Sequence, residues 1–315
     1  MLQPSSQVKE KIPTLNFLFI KISIACNLIL IMKVLEVNSS ILKKVYKKRK
    51  PWCHKYDYGS LLIIGGSKHY SGSPAFNALA ALKAGVDLTT VAAPERAANI
   101  VASFSPDLIA YPLKGDYLNK KHLKELLELT ERKTAVVIGG GLTRRKEVVE
   151  AVIKYLEKID IPAVIDADAI HAVAKKKEIL RNKNFVLTPH TFEFKVLSEI
   201  EVGENLSERI EAVRETAKNL ETTILLKGHV DVISNGKKTA LNKTGSPLMT
   251  KGGMGDTLAG ICGALLARGN NCFDSACAAA YINGLAGEMA AKKFGESVVA
   301  SNILEEIHKV LPKYK

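Results

Sequence analysis

The segment Lys251-Gly252-Gly253-Met254-Gly255-Asp256 has the residue types best suited to chemistry in this chain, and a run of small apolar residues follows it. Glycines just before a helix leave backbone N–H groups pointing outward, and the helix dipole adds partial positive charge there, so the segment suits an anion such as phosphate. A carboxylate would repel that anion. Asp256 therefore indicates a base that takes a proton from an attacking hydroxyl. From this segment alone, an N-cap at Asp256 followed by a helix is an equally good interpretation.

Five further loops share one property: each follows a predicted strand, which is where open α/β sheets bind their ligands. Three consecutive glycines in one loop would let the backbone approach a bulky ligand, and Pro74 in another suits the first turn of a helix. None of the loops has the Walker pattern or the dinucleotide-binding glycine fingerprint. The loops are Gly65–Ala75, Gly139–Leu142, Asp166–Ala169, Thr188–His190 and Lys227–Asp231.

Single residues in these loops also have purely structural explanations. A lone His190 is more typical of a hydrogen-bonded structural histidine than of a catalyst, and Asp168 is suited to an N-cap. Lys227 is as consistent with a solvated turn residue as with a cation that reaches phosphate. No zinc site or disulfide framework is predicted, because the cysteines show no short paired spacing and reduced thiols explain them. These cysteines are Cys26, Cys53, Cys262, Cys272 and Cys277.

The elements that position these loops alternate from Gly59 onward between short β-branched runs and amphipathic stretches, which predicts an α/β fold around a mostly parallel sheet. Asn235-Gly236 predicts a hairpin between the last two strands. The predicted strands are Ser60–Ile64, Leu88–Ala93, Ala135–Ile138, Ala163–Asp166, Phe185–Leu187, Thr223–Leu226, Val230–Ser234 and Lys237–Leu241. The predicted helices are Pro74–Gly85, Lys146–Lys158, Ser207–Leu220, 255–268 and 273–292.

Composition is that of a globular protein: 315 residues, 47% hydrophobic and 24% charged, with a formal net charge of +13. The positive charge favours anionic ligands but does not distinguish a nucleotide from a nucleic acid. Residues 43–50 have six of the basic residues and no acidic ones, a pattern more typical of a solvated surface than of nucleic-acid binding.

The amino terminus contains an apolar run, Leu15–Met32, of about the length of a membrane helix but interrupted by Lys21. No small-residue cleavage site follows it, and an ordinary polar and apolar pattern begins at Met32. We therefore expect residues 1–31 to be a disordered leader or the product of a misassigned start, and residues 32–315 to form one domain.

The order and the residue sequences of these motifs resemble those of the NAD(P)H-hydrate dehydratase family. The similarity extends over roughly residues 50–312 and is specific because six motifs occur in the same order. The residues that carry it are His54-Lys55, Gly59, Ile64–Ser67, Tyr70–Pro74, Gly139–Leu142, Asp166–Ala169, Thr188–His190, Glu193, Leu226–Gly228, Gly252–Asp256 and Leu258–Gly260.

The resemblance implies a ribokinase-like three-layer fold, with a central sheet between helices, and a repair reaction. Members phosphorylate the hydroxyl of hydrated NADH or NADPH with ADP or ATP and Mg²⁺, and loss of the phosphate restores the reduced ring. Asp256 would be the catalytic base and would also contact the hydrated dinucleotide, with Ala75, Gly141 and His190. The nucleotide would bind at Lys227, Gly228, His229, Val230, Asp231 and Gly255, and the phosphoryl group at an anion hole of Gly252, Gly253, Met254 and Gly255.

Five positions in four segments depart from the family pattern. Members usually have Gly-Pro-Gly at 139–141, Pro-Gly-Glu at 191–193, Gly-Asn-Pro at 245–247 and often Thr at 231. These differences affect the shape of the dinucleotide pocket and the nucleotide preference rather than Asp256.

Two other functions remain open from the sequence. A kinase of the same fold, acting on the hydroxyl of a small vitamin or sugar, would share the anion hole and Asp256, although Tyr70–Ala75 and Thr188–His190 favour the dehydratase. The second alternative is a catalytically inactive protein that binds a nucleotide or a nucleic acid and uses residues 43–50, and the presence of Asp256 disfavours it.

The resemblance also implies partners and a setting. We expect no epimerase domain in this chain, because roughly fifty residues ahead of the match are too few to form one, and thus a separate epimerase. We further expect a cytoplasmic homotetramer that binds neither nucleic acid nor membrane.

Overall fold

The computed structural model describes residues 34–313, so the predicted leader, residues 1–31, lies outside the described part of the chain. The strands are β1 (Leu35–Glu36), β2 (Ser60–Ile64), β3 (Leu88–Pro94), β4 (Ile109–Leu113), β5 (Ala135–Ile138), β6 (Ala163–Ile165), β7 (Phe185–Leu187), β8 (Thr223–Leu226), β9 (Asp231–Ser234) and β10 (Thr239–Asn242). The helices are α1 (Ser40–Val45), α2 (Gly72–Lys83), α3 (Glu95–Phe104), α4 (Leu123–Thr130), α5 (Lys146–Lys158), α6 (Asp168–Val173), α7 (Thr191–Ser198), α8 (Leu206–Asn219), α9 (Met254–Ala267), α10 (Cys272–Phe294) and α11 (Ala300–Val310).

The strands form one sheet in the order β1-β10-β9-β8-β7-β6-β5-β2-β3-β4. Strands β2 to β8 are parallel to their neighbours within that group, whereas β9 is antiparallel to both β8 and β10. The turn between β9 and β10 has Gly236 at a φ of 79°, and the Asn235 side chain accepts hydrogen bonds from the backbone N–H groups of Lys237 and Lys238. The predicted hairpin is therefore confirmed.

Helices cover both faces of the sheet, because alternate strand residues point to opposite sides. In β2, Leu61 and Ile63 belong to one hydrophobic cluster, and Leu62 and Ile64 belong to the other. The first cluster includes residues of α1, α2, α3, α9, α10 and α11, and the second includes residues of α4 to α8. The predicted α/β class with three layers is confirmed.

Close packing of α2 against α9 places a catalytic candidate near the sheet. A Cβ atom on Gly260 of α9 would lie 2.2 Å from the backbone oxygen of Asn77 in α2, a distance that no real side chain tolerates. The glycine thus lets the two helix backbones approach. This contact fixes the position of the amino terminus of α9, where Asp256 lies.

The sheet order reverses between β2 and β5, which are adjacent although two strands separate them in sequence. From β2 the chain adds β3 and β4 on one side, and from β5 it adds β6, β7 and β8 on the other. Such a switch point opens a crevice at the carboxyl ends of the strands. The glycine loops after β2 and β5 therefore lie at the position where a ligand would enter.

Most predicted element boundaries agree with the structure to within two residues, but several short elements were not predicted. Strand β4 contains Pro112, which is atypical of strands, and it lies at the sheet edge, where the missing N–H costs little. Helices α6 and α7 have six and eight residues, too few to show a clear helical period. Within residues 34–313, no helix combines the length and apolar character needed to cross a membrane.

Candidate active site

Asp256 lies in the first turn of α9, and it is not the N-cap. The N-cap is Gly253, whose φ of 89° suits glycine. The capping interpretation of Asp256 is therefore wrong, because the helix already begins at Met254. The Asn77 side-chain amide donates to the backbone oxygen of Asp256 at 2.7 Å, so α2 holds this turn in place.

The Asp256 carboxylate lies against Gly140, in the loop after β5. A Cβ atom on Gly140 would be 2.9 Å from Oδ1 of Asp256, so a larger residue would collide with the carboxylate. Burial raises the pKa of Asp256 to about 7, and the charge of Asp166 raises it as well. A hydrogen bond with Ser73 and the charge of Lys227 act in the opposite direction. A carboxylate with a near-neutral pKa is well matched to general-base catalysis.

Lys227 follows β8 and is part of a charged cluster rather than a solvated turn. Its Nζ is 3.1 Å from Oδ1 of Asp166 and 3.9 Å from Oε2 of Glu193. Burial lowers the pKa of Lys227, but the two carboxylates raise it, and the net change is upward. A Cβ atom on Gly255 would lie 3.4 Å from this Nζ. The ammonium group therefore faces the amino terminus of α9, whose first N–H groups have no carbonyl one turn earlier in the helix.

Asp166 directly follows β6 and lies at the centre of the cluster. Its Oδ1 also accepts a hydrogen bond from Oγ1 of Thr188 at 2.7 Å, so residues that follow β7 and β8 both contact it. The next residue, Ala167, has a φ of 48°, which is rare for a residue with a side chain. Gly139 makes room for this turn, since a Cβ atom there would lie 1.7 Å from the Asp166 carbonyl oxygen.

Asp168 is the first residue of α6, whose N-cap is Ala167, so the N-cap interpretation of Asp168 is also wrong. Its Oδ2 accepts from the backbone N–H of Thr143 at 2.8 Å, and its Oδ1 accepts from Nε of Arg144 at 3.0 Å. Asp168 therefore ties the loop after β5 to the loop after β6.

His190 has the structural role that the sequence favoured. It is the N-cap of α7, and its Nδ1 accepts hydrogen bonds from the backbone N–H groups of Phe192 and Glu193 at 3.1 and 3.2 Å. Glu193 completes a capping box by accepting from the His190 N–H at 2.9 Å. The His190 side chain is still 52% exposed, so a ligand can reach it. Its contact with a dinucleotide stays a prediction.

The turn from Lys227 to Asp231 is closed by its own last residue. Oδ1 of Asp231 accepts from the Gly228 N–H at 3.0 Å, and Oδ2 accepts from the Asn242 amide at 3.0 Å. Burial raises the pKa of Asp231 to about 6, and these hydrogen bonds oppose the rise. Gly228 and His229 are exposed, so solvent reaches the middle of the predicted nucleotide segment.

The other predicted residues lie around this cluster. Ala75 is buried in α2, two residues after Ser73. Gly141 has a φ of 71° and packs against Tyr70, where a Cβ atom would be 2.8 Å from that of Tyr70. In the predicted anion hole, Gly252 is exposed and Met254 is buried, and the Met254 N–H donates to the Lys251 oxygen at 3.4 Å. The structure thus brings Asp256, Gly255 and Lys227 together and links them to His190 through Glu193.

Four site residues received no role from the sequence. Asp166 and Glu193 were within recognised motifs. The capping-box spacing from His190 to Glu193 could have identified Glu193. Ser73 was also within a recognised motif and Asn77 was not, but neither contact with Asp256 could be predicted, because each joins parts of the chain that are distant in sequence.

Metal ligands are scarce in this crevice. Within residues 34–313, no group of three or more His, Cys, Asp or Glu side chains could hold a metal ion. Asp166 and Glu193 are instead arranged around the Lys227 ammonium. A magnesium ion would therefore need oxygen ligands from a bound nucleotide in addition to protein carboxylates.

Comparison with known proteins gives a consistent family. A family model described as NAD(P)H-hydrate dehydratase matches residues 61–309. A bifunctional NAD(P)H-hydrate repair enzyme of Pyrobaculum aerophilum is 45% identical over 262 residues, which cover 82% of this chain and 52% of the relative. The chain thus spans about half the length of the bifunctional relatives it matches. An ADP-dependent (S)-NAD(P)H-hydrate dehydratase of Nitrosopumilus maritimus is 37% identical, with 88% of this chain and 97% of the relative covered.

Solved structures agree with the sequence matches. The ADP/ATP-dependent NAD(P)H-hydrate dehydratase of Bacillus subtilis, co-crystallised with ATP and Mg²⁺, superposes with a TM-score of 0.78 at 27% identity, covering 89% of this chain and 98% of that one. The hydroxyethylthiazole kinase of Pyrococcus horikoshii has a TM-score of 0.60 at 19% identity, covering 87% and 93%, and shares the fold. The predicted ribokinase-like fold is confirmed by these neighbours, and a further one is described as ribokinase-like.

Proposed function

The chain belongs to the NAD(P)H-hydrate dehydratase family, and we propose that it converts hydrated NADH and NADPH back to the reduced cofactors with ADP or ATP as phosphoryl donor. The observation that carries this proposal is the Asp256 carboxylate, with a pKa of about 7, beside Lys227 and the amino terminus of α9. A base and an anion-binding terminus side by side are what phosphorylation of a hydroxyl requires.

In the first step, Asp256 accepts the proton of the ring hydroxyl while the hydroxyl oxygen attacks the terminal phosphorus of the nucleotide. The bond from that phosphorus to the bridging oxygen breaks, and AMP or ADP leaves. Backbone N–H groups from Gly252 to Gly255 hold the transferred phosphoryl oxygens, and Lys227 adds a positive charge on the nucleotide side. The pKa of Asp256 makes the ionised base available at neutral pH.

In the second step, the ring nitrogen supplies the electron pair that expels phosphate from the ring carbon. The neighbouring carbon then loses a proton, and the double bond of the reduced ring is restored. Phosphorylation matters because hydroxide is a poor leaving group and phosphate is a good one. The pocket for the dinucleotide would be formed by Ala75, Gly141 and His190, as the sequence predicts.

Mg²⁺ would offset the charge of the nucleotide phosphates as the phosphoryl group moves. Asp166 is the carboxylate best placed to hold it, because magnesium prefers oxygen ligands. Its Oδ1 accepts hydrogen bonds from Thr188 and Lys227, whereas its Oδ2 accepts none from side chains within residues 34–313. Lys227 would remain on the Oδ1 side of Asp166.

The proposal includes a cellular setting. We expect a cytoplasmic enzyme that acts on the (S) form of the hydrated cofactor, the form named for the relative from Nitrosopumilus maritimus. A homotetramer is expected as well, and light scattering of the purified protein would measure it.

The experiment is incubation of the protein with hydrated NADH, Mg²⁺ and either ADP or ATP, while the absorbance of the reduced nicotinamide is followed. Recovery of NADH with release of AMP or ADP supports the proposal. A stable phosphorylated vitamin or sugar, without recovery of NADH, would instead support the kinase alternative.

A further inference from the structure

Arg209 is a buried cation that the proposed chemistry does not use. It lies in the first turn of α8 and is 8% exposed. Burying a guanidinium group is costly unless its donors are satisfied. Burial lowers the pKa of Arg209, and the nearby Asp231 carboxylate opposes that change.

The guanidinium donates to three separate segments. Nη2 donates to the backbone oxygen of Lys227 at 3.1 Å. Nη1 donates to the backbone oxygen of Gly203 at 3.3 Å and to Oγ1 of Thr191 at 3.5 Å. Arg209 thus joins the turn after β8 to the start of α7 and to the loop before α8.

The turn is shaped around this side chain. A Cβ atom on Gly228 would lie 2.5 Å from Nη2 of Arg209, so the contact needs a glycine next to Lys227. The backbone N–H of Lys227 donates to the Pro189 oxygen at 2.9 Å, so the peptide group on each side of Lys227 is fixed. The direction of the Lys227 side chain toward Asp166 follows from these restraints.

We propose that Arg209 is a positioning residue for the nucleotide: it holds the Lys227 carbonyl and thereby sets the Lys227–Asp231 turn in the conformation that binds ADP. The inference rests on the proposed function, in which this turn contacts the nucleotide. Arg209 is 8% exposed and donates to the backbone of the turn, so it would act on the nucleotide through the turn.

The test is Arg209→Met, assayed by calorimetric titration with ADP and by the KM values for ADP and for hydrated NADH. A hydrogen bond from a charged donor contributes enough that we expect ADP affinity to fall about 10- to 100-fold. We expect the KM for ADP to rise in parallel and the KM for hydrated NADH to remain unchanged. Arg209→Lys should recover part of the affinity, because an ammonium can reach the Lys227 oxygen but cannot span all three acceptors.

The matched control is Arg214→Met on the same helix, where the arginine pairs with Glu211 and Glu215. It should leave ADP affinity unchanged. Wild-type ADP affinity in folded Arg209→Met would overturn the proposal, and so would equal rises of both KM values, which would indicate a general structural defect. If the wild-type protein binds ADP but does not restore NADH, the proposed function fails, and the calorimetric comparison still decides the role of Arg209.

Discussion

Replacing Asp256 with asparagine should stabilise the protein increasingly as the pH rises, although it removes the catalytic base. In the folded state the pKa of this carboxyl is raised from 3.8 to about 7, mainly by burial. The folded protein therefore disfavours the ionised form that the unfolded chain adopts readily. The asparagine side chain of the variant would occupy nearly the same volume as the carboxyl group and would not ionise.

The magnitude follows from the linkage between protonation and folding. A group with a raised folded-state pKa contributes stability that is present below its unfolded pKa and is lost as the pH rises through its folded pKa. The difference between a pKa of 3.8 and one of about 7 corresponds to at most about 4 kcal/mol. The stability difference between Asp256→Asn and wild type should thus grow between pH of about 4 and about 7 and then become constant.

The assay is urea unfolding of both proteins across this pH range, at one protein concentration and one salt concentration, since association and ionic strength also change stability. Asp166→Asn supplies the comparison, because loss of the Asp166 charge should lower the pKa of Asp256 and reduce the pH dependence. A stability difference between Asp256→Asn and wild type that does not change with pH would refute the reasoning.

Two further predictions concern the neighbours of Asp256. Lys227→Met should raise the KM for ADP at least about 10-fold, because it removes a charge-assisted phosphate contact and leaves Asp166 and Glu193 without their shared cation. The same change should shift the acid limb of the pH–rate profile to higher pH, since the Lys227 charge lowers the pKa of Asp256. Initial rates at several pH values and ADP concentrations measure the KM and the acid limb. An acid limb that does not move would contradict this electrostatic coupling. Gly260→Ala should lower the free energy of unfolding by about 1–3 kcal/mol and reduce turnover, because its Cβ would overlap the Asn77 backbone. Chemical unfolding measures the free energy of unfolding, and Gly203→Ala is the control because a Cβ atom at Gly203 meets nothing within 4 Å. Equal stabilities of the two variants would show that the contact between the helices is unimportant.

The sheet could be predicted from the sequence because its central strands are short, buried and apolar, as in Ser60–Ile64 and Ala135–Ile138. The loops after those strands were recognisable for the same reason, since parallel strands bring their carboxyl ends to one edge. Strand β4 and the short helices were missed because a proline and a length of one or two turns weaken the periodic signal.

The site could be predicted only in part. Asp256 was indicated by the glycines beside it, and the role of Lys227 was implied by the family resemblance. Their electrostatics depend on Asp166, on Glu193 and on burial, which no local pattern reveals. Arg209 lies in an ordinary amphipathic helix, and its three hydrogen bonds form only once α8 packs behind the turn. Such contacts depend on tertiary structure.

The central claim is that Asp256 is the base that starts dehydration of a hydrated nicotinamide cofactor. The most direct measurement is single-turnover recovery of NADH from hydrated NADH, with ADP and Mg²⁺, by wild type and by Asp256→Asn at several pH values. We expect recovery by wild type with an acid limb near the Asp256 pKa of about 7, and a loss of at least about 100-fold in the variant, which should still bind ADP. Wild-type rates in Asp256→Asn, or no recovery by the wild-type protein with either ADP or ATP, would contradict it.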